Sequence, residues 1–319
     1  MGIIEHKKTR IAIAGIGGVG GYLGGKLAAY YANSNEVEIV FIARGEMAAA
    51  IQKNGLLLHS NGRSYHCFPG LTSDDPEVIG SIDIFIVCTK SFSIATILQK
   101  YAQCLNHNSL VITAQNTVNG KELIKPWLPE GVQLMEGIMY IASNIQKPGE
   151  VNHISGPATF SFGTAGDINP MGEEVAGIFR AAGIQADFTM AIQPILWKKF
   201  MFVSPIAIVT ALFDITFTGI LDNPPAKDLY RNLVQELMQL AIVMGVAIDS
   251  NTVQHNLNLL EKFTGQVKSS FQLDMEQGKP AEVASLVSYV ITAGRLYKIP
   301  TPYYESSLYL LTKKFPVLV

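Results

Sequence analysis

Residues 10–20 read Arg10-Ile-Ala-Ile-Ala-Gly15-Ile-Gly-Gly-Val-Gly20, an apolar run of strand character that stops on spaced glycines. The spacing is G-x-G-x-x-G, and Val19–Ala32 beyond it carries a helical pattern. Each glycine answers a separate requirement: Gly15 permits a tight turn, Gly17 lets the backbone approach a pyrophosphate, and Gly20 lets the helix pack closely on the strand. A pyrophosphate held there meets the unpaired N–H groups at the positive end of the helix. Glycine is abundant in the chain (28 of 319 residues), so a flexible loop is the plain alternative. The position between strand and helix, at the start of a βαβ unit, favours dinucleotide binding. Gly15, Ile16, Gly17, Gly18, Val19 and Gly20 are the candidate phosphate-binding residues.

Outward from this turn the first half alternates apolar β-branched runs with helical patterns. Strands are expected at Arg10–Ala14, Val37–Ala43, Ile82–Thr89 and Leu110–Ala114, with helices near Val19–Ala32, Gly45–Asn54 and Phe92–Cys104. That alternation predicts a parallel sheet covered on both faces. From Gly137 to Gly163 the pattern becomes strand and turn, reversing at Lys147-Pro-Gly-Glu. After about Asp187 the strand signal fades and long helical patterns follow at Ile192–Leu212, Ala226–Met244, Thr252–Phe263, Glu282–Leu296 and Tyr303–Lys314. They break at Asn223-Pro-Pro, Gly278-Lys-Pro and Ile299-Pro-Thr-Pro, where proline cannot continue a helix. The expected fold is α/β: a Rossmann-type doubly wound sheet over residues 1–188, joined to a second, all-helical domain over 189–319.

Composition narrows the function classes. The chain is 48% hydrophobic and 16% charged, enough to bury a large core. A formal net charge of −2 leaves no electrostatic footprint for nucleic acid or an anionic membrane surface. Three scattered cysteines, Cys67, Cys88 and Cys104, suit neither a disulfide framework nor a metal site and read as reduced thiols. The longest apolar stretch, Met201–Phe213, is interrupted by Ser204, Pro205 and Thr210 and falls short of the roughly 18 residues of a membrane span. The N-terminal basic residues ahead of an apolar run imitate a signal peptide, but the glycines in that run suit a turn. A soluble cytoplasmic protein is expected.

The end of the second strand bears on the cofactor. Binders of NAD usually place a carboxylate there for the ribose 2′-hydroxyl, whereas this chain has Phe41-Ile-Ala-Arg44-Gly. Arg44 can pair with a 2′-phosphate through charge-assisted bonds, which favours NADPH over NADH. Glu46 stands two positions on, and an arginine at a strand end can also be a solvated charge. Lys90 in Val-Cys-Thr-Lys90 and Asn116 in Ala-Gln-Asn116-Thr each follow an apolar strand, at the carboxyl edge where open α/β sheets bind ligands. Lys90 could meet a cofactor phosphate or a substrate carboxylate, or be a surface charge. Asn116 could orient nicotinamide and substrate carbonyl, or serve a turn.

In the second half, Leu196-Trp-Lys-Lys-Phe is the informative stretch. Adjacent lysines lie about 100° apart on a helix, so one can face solvent and the other a cleft. Lys199, beside the long apolar run, is the better inward candidate, a plain surface lysine being the commoner alternative. A buried ammonium has a depressed pKa, which suits a general acid delivering a proton to an alkoxide as hydride arrives, and its charge stabilises the developing oxyanion. Glu282 opens the last apolar helical run but one. There it serves either the helix dipole or, facing a cleft with Lys199, a substrate hydroxyl. Ser270 and Asp274, at i and i+4, share a helical face open to the same two readings.

Taken together and in order, these landmarks resemble the ketopantoate reductases (2-dehydropantoate 2-reductases) over nearly the whole chain. The resemblance comprises Gly15–Gly20, Arg44, Lys90 after Ile-Val-Cys-Thr, Asn116 in Gln-Asn-Thr and Pro148-Gly-Glu-Val-Asn-His153. It continues through Trp197-Lys-Lys199-Phe, Ser269-Ser270-x-x-x-Asp274 and Glu282. It implies NADPH-dependent reduction of 2-dehydropantoate to pantoate, a step toward pantothenate and coenzyme A. By that likeness Lys199 is the general acid and Glu282 sits at substrate and nicotinamide. Asn116 touches both ligands, Ser270 the substrate carboxylate, Arg44 the 2′-phosphate and Lys90 the cofactor or substrate, in a cleft between the domains. The chain departs from the family at Val203, Ala207 and Val267, where asparagines are expected, and at Thr117, where glycine is usual. Reduction of another branched, more apolar 2-oxo acid therefore stays open, as does an NADPH sensor without turnover. Thr210 and Thr218 are candidates to replace the missing amides. Apolar helix faces in the second half serve either a core or a twin subunit.

Overall fold

The computed structural model describes residues 8–167, 169–263 and 265–316. They form two compact units, the chain up to Gln115 with Asn119–Ile192, and Asn116–Val118 with the chain from Gln193 onward. The division at Ile192/Gln193 lies beyond the expected 188/189 boundary because one more strand, running to Thr189, precedes the helical unit.

The first unit runs β1 (Thr9–Ala14), α1 (Gly18–Tyr31), β2 (Val37–Ile42), α2 (Gly45–Asn54), β3 (Leu56–Ser60), β4 (Arg63–Cys67), β5 (Leu71–Ser73), α3 (Pro76–Ile79), β6 (Ile84–Val87), α4 (Ile94–Tyr101), β7 (Leu110–Thr113), α5 (Gly120–Ile124), β8 (Gln133–Lys147), β9 (Glu150–Gly163), α6 (Met171–Ala181) and β10 (Gln185–Thr189). Its sheet is ordered β4-β3-β9-β8-β7-β6-β1-β2-β5, with β10 pairing on β9. The stretch β5-β2-β1-β6-β7-β8 is parallel throughout. Numbered by their own succession these strands run 3-2-1-4-5-6, the doubly wound order, with its reversal between β1 and β6. The other edge of the sheet is mixed, in keeping with the reversal expected at Lys147-Pro-Gly-Glu. There β8 meets β9 antiparallel, the chain reversing at Pro148–Gly149, and β3 meets β4 as an antiparallel hairpin.

Alternate side chains of the central strands face opposite ways, and both faces are covered. Ile11, Ile13, Phe41 and Ile86 pack with Leu23 and Leu27 of α1 and Phe179 of α6. Ala12, Val40, Phe85 and Val87 pack with Leu98 and Tyr101 of α4. Each large side chain taken fully out of water contributes about 1.5–3 kcal/mol. That is why these strands are near-continuous apolar runs, without the polar alternation of a one-sided sheet.

The second unit contains α7 (Ile192–Phe213), α8 (Gly219–Asp222), α9 (Pro224–Val243), α10 (Thr252–Leu260), α11 (Ser270–Glu276), a π-helical turn (Ala284–Ser288) continuing into α12 (Tyr289–Tyr297), and α13 (Pro302–Lys314). The single helix expected from Glu282 is thus interrupted by a π turn. The side chain of Asn223 caps α9 by accepting from Ala226 N at 3.1 Å, with Pro224 at the first helical position. Helix α7 is longer than the apolar stretch read from sequence: 22 residues, with a mean hydropathy of 1.6 over an 18-residue window. By length and composition it could cross a membrane, but 67% of that window is buried inside the protein, as in a core helix. Pro205 within it lacks an N–H for Met201 O, and Asn256 Nδ2 of α10 supplies one at 3.0 Å.

Candidate active site

At the reversal of strand order, β1 delivers the chain into the glycine turn. Gly15 has φ +88°, left-handed backbone that favours glycine, and a Cβ there would fall 2.8 Å from Thr89 N at the end of β6. A Cβ on Gly20 would lie 2.1 Å from Gly15 O, so the helix can close on the turn only without one. Gly17 differs, because a Cβ there meets nothing within 4 Å. The space beside Gly17 is open, as a close approach of a ligand to the backbone would require. Helix α1 begins without a side-chain cap and without an acidic residue in its first turn, leaving its end positive for an anion.

Three polar atoms around this turn are buried without a hydrogen-bond partner among the described residues: Thr89 Oγ1, Ser143 Oγ and Gln115 Oε1. Ser143 lies against α1, where a Cβ on Gly18 would fall 2.7 Å from its Oγ. It is aimed there by an irregularity in β8, whose register on β9 shifts at Tyr140/Ala142 and again at Ala142/Ser143. Gln115 ties two strand ends together, its Nε2 donating to Val87 O (2.8 Å) and Thr89 O (3.1 Å). Buried polar groups are ordinarily paired. Two orphaned hydroxyls beside an uncapped helix start are the residues a bound pyrophosphate would satisfy, so a dinucleotide fits this turn. Neither hydroxyl was singled out from the sequence.

Arg44 follows β2 as the N-terminal cap residue of α2, in extended conformation, exposed and without an ion-pair partner among the described residues. Glu46 is exposed in the first turn of that helix. Lys90 is half-buried and heads the short 3₁₀ turn Ser91–Ser93. Cys88, beside it, has its thiol pushed up to about 12 by burial, so it stays protonated and is no nucleophile. His153 serves the fold. Its Nδ1 lies 2.9 Å from Ser60 Oγ, and its Nε2 faces Ser155 O (3.0 Å) and Gly156 O (3.1 Å).

In the second unit Lys198 is exposed and Lys199 half-buried, as the helical spacing requires. Burial draws the Lys199 ammonium down to about 7. Glu282 is 8% exposed and stands just ahead of the π turn, an irregularity frequent at functional sites. Asn116 is half-buried, and with Thr117 and Val118 it groups with this unit although it follows β7 in the chain. Ser270 is the exposed first residue of α11, with Asp274 half-buried on the same helix. The buried serine is Ser269, which caps α11 by accepting from Gln272 N at 3.1 Å and lies 3.1 Å from Thr210 Oγ1.

One expected compensation for the missing amides is corrected. The Thr210 hydroxyl is fully buried, its proton directed to Ile206 O at 2.8 Å and its oxygen 3.1 Å from Ser269 Oγ, so it is not presented to a ligand. Thr218 is half-buried, its Oγ1 3.4 Å from Thr216 Oγ1. Val203 is half-buried and Ala207 buried on α7, and Val267 is half-buried, its carbonyl accepting from Phe217 N at 3.0 Å.

A doubly wound sheet with a glycine turn at its switch point, followed by a helical unit, defines a class of two-unit proteins with the dinucleotide-binding fold. The chain belongs to the ketopantoate reductase PanE/ApbA family, whose model matches residues 11–167 and whose C-terminal model matches residues 191–315; it is an oxidoreductase of that family. It is 26% identical to an uncharacterized oxidoreductase, YkpB, of Bacillus subtilis, over 93% of this chain and 96% of that protein. A 2-dehydropantoate 2-reductase of Mesorhizobium japonicum is 28% identical over 95% and 97% of the two chains. The crystal structure of 2-dehydropantoate 2-reductase from Geobacter metallireducens superposes with a TM-score of 0.86 at 26% identity, covering 96% of this chain and 99% of that one. The ternary structure of D-mandelate dehydrogenase with NADH and anilino(oxo)acetate shares the fold, with a TM-score of 0.84 at 20% identity over 97% and 99%.

Proposed function

We propose that the protein reduces a 2-oxo acid with NADPH, 2-dehydropantoate to pantoate being the first substrate to test. What carries the reading is a lysine with its pKa drawn down to about 7 by burial in a chain whose two units both match the family. The bound reduced nicotinamide supplies the hydride. The turn Gly15–Gly20, with the hydroxyls of Thr89 and Ser143, holds the pyrophosphate. Arg44 would pair with the 2′-phosphate through charge-assisted bonds. Lys90 adds charge toward the cofactor or the substrate carboxylate.

Lys199 donates its proton to the carbonyl oxygen as negative charge develops there, and is left as a neutral amine that solvent reprotonates. A donor with a pKa near working pH is matched to that task. Asn116 orients the ketone and the nicotinamide through its amide, Glu282 anchors the substrate beside the lysine, and Ser270 binds the carboxylate.

A second reading concerns the substrate. Val203 and Ala207 offer no hydrogen bond along α7, and the Thr210 hydroxyl is not presented to a ligand. A site that leaves a substrate hydroxyl unpaired gains nothing from it, which favours a branched 2-oxo acid with an apolar side chain. Steady-state NADPH consumption with ketopantoate and 2-oxoisovalerate in parallel, repeated with NADH, tests both readings. Preference for ketopantoate with NADPH supports the first, and preference for 2-oxoisovalerate replaces it with the second. No consumption with any 2-oxo acid refutes both.

A further inference from the structure

The second unit contains a chain of buried hydrogen bonds to which the roles above give no part. Glu236 of α9 caps α13, its two carboxylate oxygens accepting from Tyr303 N (2.8 Å) and Tyr304 N (3.0 Å). Tyr304 is fully buried, and its phenol oxygen lies 2.7 Å from Ser204 Oγ on α7. Ser204, also fully buried, lies 2.7 Å from Leu286 O. A carbonyl only accepts, so Ser204 gives its proton to Leu286 and Tyr304 donates to Ser204. Leu286 sits in the π turn, and its N–H donates to Glu282 O at 2.9 Å. Ser204 follows Lys199 on one helix, and Leu286 follows Glu282 in one turn. The Ser204 hydroxyl thus joins the element that carries the lysine to the element that carries the glutamate, and the Tyr304 phenol backs it from α13.

We propose that Ser204 and Tyr304 are positioning residues that fix the spacing of Lys199 on α7 relative to Glu282 ahead of the π turn. The inference rests on the roles given to Lys199 and Glu282 above. A π turn departs from the ordinary helical register, so a partner from outside selects where it sits. The Ser204 hydroxyl is that partner, and Glu236 holds the far end of the chain through Tyr304.

The test compares Ser204→Ala, Ser204→Thr and Tyr304→Phe in the full-length protein. Ser204→Ala should lower kcat by roughly 10- to 100-fold, the scale of a misplacement of about 1 Å. The KM for NADPH should not move, because the glycine turn belongs to the other unit. Ser204→Thr keeps a hydroxyl and should restore most of the loss. Tyr304→Phe leaves the Ser204–Leu286 bond and should cost less than Ser204→Ala. A lowered Tm with wild-type kcat in Ser204→Ala overturns the proposal, since the hydroxyls then serve stability alone. If Ser204→Ala does not fold, Tyr304→Phe carries the test, and wild-type kcat in that variant overturns it. Amide hydrogen exchange separates this inference from the proposed function. A wild type that reduces no 2-oxo acid refutes the function, while faster exchange at residues 283–289 in Ser204→Ala or Tyr304→Phe still supports the bridge and unchanged exchange overturns it.

Discussion

The sharpest consequence of burying Lys199 is a pH profile. Its pKa is lowered from 10.5 to about 7 by desolvation of the ammonium. A proton donor acts only while it holds its proton, so activity is present below that pKa and lost as pH rises through it. The protonated fraction is about one half at pH 7, about 0.1 at pH 8 and about 0.01 at pH 9 for such a group, against nearly 1 throughout for an ordinary lysine. kcat/KM should therefore fall about tenfold per pH unit above 7. An anionic substrate beside the ammonium favours the charged form, so the matching limb of kcat should lie at higher pH. Lys199→Ala should lower turnover by roughly 10²–10⁴-fold while NADPH still binds. Lys199→Arg keeps the cation but cannot release a proton near neutrality, and should fail equally. Lys198→Ala, at the exposed neighbour, should leave rate and profile unchanged. The assay is initial-rate NADPH oxidation across pH 6–9 in buffers of constant ionic strength. A flat profile, or Lys199→Ala retaining more than about a tenth of wild-type turnover, would mean that Lys199 is not the proton donor.

Other outcomes follow from the same geometry. Gly17→Ala, whose methyl meets no protein atom within 4 Å, should leave the ligand-free Tm nearly unchanged and weaken dinucleotide binding by titration. Gly20→Ala, whose methyl would fall 2.1 Å from Gly15 O, should destabilise the ligand-free protein itself. Arg44→Ala should reduce kcat/KM with NADPH by about 10- to 100-fold, as expected for one or two lost charge-assisted bonds, with little change for NADH. Thr89→Val and Ser143→Ala remove unpaired buried hydroxyls, so ligand-free Tm should hold or rise while NADPH Kd, by fluorescence, weakens about tenfold. Lys199→Met should alter stability against pH with a definite sign. The folded pKa, about 7, lies below the unfolded value of about 10.4, so between them the unfolded chain binds more protons and wild-type stability gains with rising pH relative to the variant; equal pH dependence in thermal melts contradicts the shift.

Much of this was legible because it is local. The strand, turn and helix around Gly15–Gly20 declare themselves by an apolar run and glycine spacing, and Gly45–Asn54 is the helix expected. Asn223 and the prolines after it start α9 where proline ends the preceding pattern. What was missed depends on distant partners. The hairpin of β3 and β4 lies at a sheet edge, and Arg63–Cys67 is too polar and exposed to read as a strand. Short strand β10 gains its pairing only from β9, and the π turn at Ala284–Ser288 carries no glycine or proline to mark it. Ser143 was invisible as a site residue because it meets Gly18 only through the irregular register of β8. At α11 the spacing of Ser270 and Asp274 is legible, but that Ser269 is the buried neighbour depends on Thr210, distant in sequence.

In the proposed reaction hydride leaves a bound nicotinamide and Lys199 supplies the proton. Single-turnover mixing of the enzyme–NADPH complex with a 2-oxo acid, followed by the near-ultraviolet absorbance of reduced nicotinamide, addresses it most directly. Stoichiometric loss of the signal is expected in wild type and, in Lys199→Ala, the same loss slowed by about two to four orders of magnitude at equal NADPH occupancy. Loss at the wild-type rate in that variant, or none in wild type with either ketopantoate or 2-oxoisovalerate, would contradict the proposed reaction.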